Sequence, residues 1–211
     1  LWIQPDRKLT LADVQMSMRD HYEGTPLSTL NDCGQGNWDM PYRPTPLVFE
    51  YNGKKYFTER PASTQQSAFS YVCQLRSWLP REIGGIIWFA NDDANMAAYV
   101  PIYCSNVERA ECFNTPGADA VTFSDKNAFW VCNWVANMVY PRYSQMFPAL
   151  KAVRDRLEKG YEADRKQIEE RAQELYLTDK AAAVKFLNDY SVAKSNEMIA
   201  EWKQLATYLI V

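Results

Sequence analysis

The hydrophobic period of this chain changes once, and that change limits the folds open to it. In the strand-bearing stretch that begins near residue 45 apolar side chains recur at every second position, and beyond about residue 123 they recur about every 3.6 residues. A chain built this way is α+β, with its strands gathered first and its long helices last. Over 67–75, Phe69, Tyr71, Cys73 and Leu75 alternate with Ala68, Ser70, Val72 and Gln74, the pattern of a half-buried strand. Over 84–91 both sets are apolar, with Ile86, Trp88 and Ala90 opposite Ile87 and Phe89, so this strand is expected to be covered on both sides. Asp92-Asp93-Ala94-Asn95 reads as a solvated polar turn, after which 96–104 returns as a partner strand. Pro101 gives that strand no ladder donor, so it belongs at an edge or carries a bulge. Leu47–Tyr51 and Tyr56–Glu59 flank Asn52-Gly53-Lys54-Lys55, and Asn-Gly is the strongest short hairpin signal.

Helices are announced by their caps and stripes. Thr10 with Asp13 forms a capping box for a first helix, with Leu11, Val14, Met18 and Tyr22 on one face and a stop at Gly24 and Pro26. Ser124 is the expected cap of a helix bearing Trp130, Val131, Trp134, Val135 and Met138. A long helix over 141–176 carries Met146, Leu150, Val153, Leu157, Tyr161, Ile168, Ala172 and Leu175 as its stripe. Residues 151–174 hold seven Lys/Arg and seven Asp/Glu, which marks the opposite face as solvated, with Asp155–Lys159 and Glu162–Lys166 at a favourable spacing. A last segment over 179–209, in one piece or two joined near Ser191, is expected to pair antiparallel with it. The organisation is one domain, a mixed α/β segment over 1–123 and a helical segment over 124–211. Antiparallel strands fall at about 45–104.

Composition excludes several functions. The formal net charge of −3 comes without a basic block, so nucleic acid is not an expected partner. No apolar run reaches the roughly 20 residues that span a bilayer, so no membrane is expected either. Gly84-Gly85 is isolated, and no glycine-rich phosphate loop exists. Leu1 opens the chain without a basic, then apolar, leader and suggests a processed or truncated product. The compartment stays open.

Five cysteines, Cys33, Cys73, Cys104, Cys112 and Cys132, lie at irregular spacings with no Cys-x-x-Cys pair. Cys73 and Cys132 read as small buried hydrophobes, and Cys104 and Cys112 bracket a polar loop as free thiols or as a bridge. Neither metal nor cofactor is expected. The sole histidine, His21, stands in Arg19-Asp20-His21-Tyr22-Glu23-Gly24-Thr25-Pro26. Its imidazole is a candidate general base or substrate contact, with Glu23 as partner only where the helix ends between them. The structural reading has His21 capping the helix end and its neighbours forming ion pairs. Gln74 and Arg76, at a strand end, are candidates for holding a substrate carboxylate, against a structural ion pair for Arg76. Asn91–Asn95 lacks the spacing of a calcium loop. Phe129, Trp130 and Trp134 at helical spacing read as core and not as a sugar platform.

Three blocks together resemble the cysteine-nucleophile dipeptidases of the N-terminal nucleophile (Ntn) hydrolase superfamily. They are Leu9 to Pro26 with its Arg-Asp-His-Tyr-Glu-Gly-Thr run, Arg60 to Leu79, and Ile83 to Cys104, followed by a helical tail that looks similar from Phe129 onward. The resemblance implies part of a four-layer αββα sandwich and metal-free hydrolysis of dipeptides by an N-terminal cysteine whose α-amine is the base. No cysteine stands at the start of this chain, so no catalytic residue is assigned in it. The segment is expected to supply sheet, helical cover and pocket residues, with Arg76, Gln74, His21 and Glu23 as substrate-binding candidates. The expected partners are a dipeptide and the missing N-terminal half of the same protein, with self-association as a homo-oligomer where that half is lacking. A free-standing interaction module built on the charged helices, and a complete hydrolase using His21, are the alternatives.

Overall fold

The computed structural model describes residues 2–31, 35–43, 48–58 and 60–211, so Leu1, Cys33, Leu47 and Glu59 lie outside the described residues. Its architecture is α+β, with two small antiparallel sheets and long C-terminal helices. The first helix, α1 (Leu11–Met18), begins as expected: Thr10 Oγ1 accepts from Asp13 N at 3.2 Å while Asp13 accepts from Thr10 N at 2.7 Å. It ends at Met18 and not at Tyr22. Past that point side chains take the backbone donors, with Glu23 accepting from His21 N at 2.8 Å and Asp20 from Tyr22 N at 3.0 Å. Such local bonds outcompete another helical turn, and Tyr22 sits at φ 63.

Strands β1 (Val48–Tyr51) and β2 (Lys54–Phe57) form the expected hairpin. The turn is the two residues Asn52 and Gly53, both at positive φ (50 and 69), while Lys54 and Lys55 belong to the strand. The larger sheet has the order β3 (Phe69–Leu75), β4 (Gly85–Asn91), β5 (Val100–Tyr103). A short helical turn, α2 (Arg81–Gly84), precedes β4. Of 96–104 only Val100–Tyr103 is strand, and Pro101 lies at the sheet edge as its missing donor requires. That edge is closed from outside: Tyr99 N donates to Glu158 at 2.8 Å and Tyr103 N to Ser191 Oγ at 3.2 Å. With proline between them, no outward donor is left on β5 to recruit another strand.

One face of this sheet carries Val72, Ile86, Trp88 and Tyr103 into the core. The other face carries Phe69, Tyr71, Cys73 and Leu75 on β3, all exposed, beside half-buried Ile87 and Phe89. Cys73 is therefore not the buried hydrophobe expected of it, and β4 is only partly covered on its second side. On β3 the larger side chains face outward.

Helix α3 (Ala128–Val139) is capped by Asn127, whose side chain accepts from Trp130 N at 3.4 Å, and not by Ser124. It buries Val131, Cys132, Val135 and Ala136 but leaves Trp134 exposed and Phe129 and Trp130 half-buried, so the core reading of these aromatics fails for Trp134. Helix α4 (Tyr143–Thr178) and helix α5 (Lys180–Ile210) form an antiparallel hairpin, with Asp179 capping α5 and Ser191 inside one unbroken helix. Their contacts step in opposite directions, Asp164 to Lys194 and Arg156 to Glu201. The two expected pairs on α4 are replaced: Asp155 meets Lys151 and Arg154, Glu162 meets Arg165, and Lys166 meets Glu170. Trp202, Leu187 and Met198 of α5 complete the core with Trp88 and Tyr99.

Candidate functional site

The turn after β4 is buried, which overturns its reading as a solvated loop. Asp92, Asp93 and Asn95 are all within the core, and Asp92 adopts φ 65. Burial is tolerated because other segments supply donors. The Asp93 carboxylate accepts from Ser63 Oγ, from Tyr140 Oη at 3.1 Å and from Asn95 N at 3.2 Å. Asn95 donates its amide to Tyr143 Oη at 3.0 Å, and its backbone and side-chain oxygens accept from Arg154 at 2.7 and 2.9 Å. Asp92 has a poorer set, with Asn133 donating to it at 3.3 Å. Burial first, and the neighbouring Asp93 charge second, push its pKa up to about 7. Burial and the same charge also push the phenols of Tyr42 and Tyr140 up, so both stay protonated donors.

The His21 run packs against this turn. Arg19 donates to Ala94 O at 2.8 Å and to Ala97 O at 3.3 Å, and grips Glu158 of α4 with two bonds of 3.0 and 2.5 Å. Its guanidinium lies over the Tyr99 ring at 4.9 Å. Asp20 O accepts from Ser63 N at 3.2 Å, which ties the run to the residue that donates to Asp93.

His21 itself is buried at 1% exposure and does not cap a helix. Because α1 ends early, His21 Nδ1 reaches Glu23 Oε1 at 3.0 Å. Burial works against the Glu23 charge, but the bonds from the His21 ring and backbone hold its pKa at about 2. An ionised carboxylate only accepts, so Nδ1 carries the proton and Nε2 is left with the lone pair in the neutral ring. Nε2 has no hydrogen-bond partner among the described residues, and the Tyr42 ring meets His21 edge-on at 4.5 Å. Tyr42 in turn contacts Tyr140 at 5.1 Å and Tyr143 at 6.1 Å. The His21 run and the Asp92 turn, separate in the sequence, are thus one polar cluster with an aromatic wall.

The other two candidates sit elsewhere. Arg76 is buried, pairs with Glu169 of α4 and donates to Gly84 O at 3.3 Å and Ile83 O at 3.2 Å. Tyr103 also donates to Glu169, at 3.2 Å. Gln74 accepts from Trp88 Nε1 at 3.1 Å. No hydrogen bond or ion pair among the described residues joins Arg76 or Gln74 to His21 or Glu23.

The cluster includes residues that sequence reasoning passed over: Tyr42, Ser63, Asn133, Tyr140, Tyr143, Arg154 and Glu158. One signal was readable. Arg154 and Glu158 fall on the same helical face as Leu150, Leu157 and Tyr161, and charges inside an apolar stripe need buried partners.

The described thiols are free. Burial raises Cys104, takes Cys112 to about 11 and pushes Cys132 well above the usual range. These three shifts all run away from the reactive thiolate. Among the described residues no group of three or more His, Cys, Asp or Glu could hold a metal, and no helix is long and apolar enough to cross a membrane.

The peptidase family C69 model matches residues 1–156. The chain is also similar to "Probable dipeptidase B" of Streptococcus pyogenes serotype M1, with 21% identity over 209 residues. That similarity takes in 97% of this chain and 39% of the streptococcal protein, so the chain spans well under half of that relative's length.

Proposed function

From the premise that this chain belongs to peptidase family C69, we propose that it serves the hydrolysis of dipeptides by a cysteine nucleophile. The observation that carries the reading is the family match, joined to similarity along 97% of the chain to a protein named as a dipeptidase. We place the nucleophile outside the four described thiols, because a nucleophilic cysteine needs a base within hydrogen-bond reach and none of the four has one among the described residues. The single imidazole is occupied by Glu23 and faces Tyr42, away from any thiol bond. This segment contributes a sheet, its helical cover and pocket residues, and the buried cluster around Asp93 and His21 holds those parts in register.

The partner is a second sheet from the same protein, as in an Ntn sandwich. Support comes from β3, whose Phe69 and Leu75 are 56% and 73% exposed. The bonds Asp92 N to Ala68 O and Arg76 N to Gly84 O turn the even-numbered residues of β3 toward β4. The backbone groups of Phe69, Tyr71, Cys73 and Leu75 therefore face outward, on the residues whose apolar side chains are also uncovered.

The test is dipeptide hydrolysis by protein expressed from the complete coding sequence, followed by amino-acid release. We expect cleavage that iodoacetamide abolishes and EDTA leaves intact. Cleavage indifferent to thiol alkylation would refute the cysteine nucleophile. Cleavage by the 211-residue chain alone, lost in His21→Ala, would favour a self-contained hydrolase.

A further inference from the structure

The β1–β2 hairpin stands uncovered on both faces. All of its strand residues are exposed, and Val48 and Phe57 reach 70% and 78%. Its register sets Val48 against Phe57, Phe49 against Tyr56, Glu50 against Lys55 and Tyr51 against Lys54. Phe49, Tyr51 and Tyr56 therefore share one face, and Val48 and Phe57 share the other. Phe49 and Tyr56 stack at 5.4 Å. No side chain of the hairpin belongs to the core, and among the described residues none makes a hydrogen bond, ion pair or ring contact outside the hairpin. Two strands alone are marginal in water, whereas three or more with an apolar face can persist. The hairpin needs further strands.

Its two edges differ. The turn is Asn52 and Gly53, so Tyr51 and Lys54 form a hydrogen-bonded pair and the ladder alternates from there. The outward N–H and C=O groups are then those of Val48 and Glu50 on β1, and of Lys55 and Phe57 on β2. Lys54 and Lys55 guard the β2 edge, since lysines disfavour the approach of another strand. β1 carries a single charge, Glu50, and neither lysine nor proline, so its edge is open.

We propose that β1 pairs antiparallel with β1 of a second copy of this chain, joining two hairpins into one four-stranded sheet about a two-fold axis. Three registers bring the outward groups together. Glu50 opposite Glu50 sets like charges against each other, which is destabilising. Val48 opposite Val48 sets Glu50 against the partner's Pro46, which has no N–H to give. Val48 opposite the partner's Glu50 has neither fault. Both outward residues of each copy then exchange bonds, and Phe49 falls on the axis opposite the partner's Phe49. The Phe49–Tyr56 stack continues across the axis as a row of four rings, giving the new sheet its apolar face. This self-complementarity of charge and register selects a second copy as the occupant. The proposal stands on the hairpin alone and goes beyond the peptidase reading.

The experiment is oxidative cross-linking of cysteine variants of the 211-residue chain, beside sedimentation over a range of concentrations. Peptide mapping tells the introduced thiol from the native ones. Across the axis Phe49 forms a non-hydrogen-bonded pair with Cα atoms about 4.5 Å apart, within disulfide reach. Phe49→Cys should therefore give a dimer joined at position 49, and Val48→Cys, which faces Glu50, should not. Glu50→Pro removes an outward donor from each copy while sparing the hairpin's own bonds. It should weaken dimerisation at least ~10-fold, the worth of two hydrogen bonds. Lys55→Pro makes the same change on β2 and should leave the affinity as it was. A chain that sediments as a monomer throughout, equal cross-linking of Phe49→Cys and Val48→Cys, or unchanged affinity in Glu50→Pro would overturn the proposal. Slow amide exchange at Val48 and Glu50 in a monomer would overturn it in favour of a strand from the same chain. No turnover enters the readout, so failure of the peptidase reading leaves this one standing.

Discussion

Replacing Asp92 by Asn should stabilise the folded chain above neutral pH and leave it unchanged in acid. Asp92 is 1% exposed, with one side-chain donor and the Asp93 charge beside it. Its pKa is about 7 in the fold against 3.8 for an ordinary aspartate. The native state therefore holds a proton that the unfolded chain gives up between those values. Stability from this group is fully present below the unfolded pKa and is lost as pH rises through the folded one. At about 1.4 kcal/mol per unit, the carboxylate costs on the order of 4 kcal/mol by about pH 8. An amide removes that cost, tolerates the positive φ of 65 and can still accept from Asn133. Urea unfolding at about pH 8 and about pH 4 measures both ends of the window. The variant should gain most of that ~4 kcal/mol at the higher pH, roughly 10 °C in Tm for a domain of this size, and almost nothing at the lower. Equal effects at the two pH values, or a loss at the higher one, would refute a buried, proton-holding Asp92.

Three other outcomes follow from the same geometry. Tyr140→Phe removes a donor from buried Asp93 and should cost about 1–3 kcal/mol in urea unfolding. Arg76→Met leaves buried Glu169 with Arg165 at 3.3 Å and the Tyr103 hydroxyl as its remaining partners and should cost about 1–3 kcal/mol. In the active enzyme it should lower Tm with KM for dipeptides unchanged, and a raised KM with Tm intact would return Arg76 to the substrate site. Brief alkylation of the native chain, read by peptide mass spectrometry, should label exposed Cys73 and Cys104 and spare Cys112 and Cys132 until unfolding.

The long helices were legible because a stripe of about 3.6-residue period says which face is buried whatever it packs against. The Asn52-Gly53 hairpin and the Thr10–Asp13 box were legible because their bonds join residues a few positions apart. What escaped was decided at a distance. Helix α1 stops at Met18 because the residues after it answer to a cluster that includes Glu158, 139 positions beyond Arg19. Asp92 and Asp93 read as a solvated turn because aspartates are buried only where donors await them. Those donors, Ser63, Asn133 and Tyr140, come from three separate segments. Alternation located β3 but not its outward face, since Phe69, Tyr71 and Leu75 outweigh Ser70 and Val72 and are nonetheless the exposed set. The site candidates divide the same way. His21 and Glu23 do meet, two residues apart, while the partner of Arg76 lies 93 positions away on α4.

The most direct test of the proposed cysteine dipeptidase, with its nucleophile on none of the five cysteines of this chain, is covalent labelling. Protein from the complete coding sequence would be inactivated with a dipeptide-derived chloromethyl ketone, digested, and the modified residue identified by mass spectrometry. The account predicts loss of dipeptide cleavage with a single label on none of Cys73, Cys104, Cys112 and Cys132, and none on Cys33. A label on one of these cysteines or on His21, tracking the loss of activity, would contradict it.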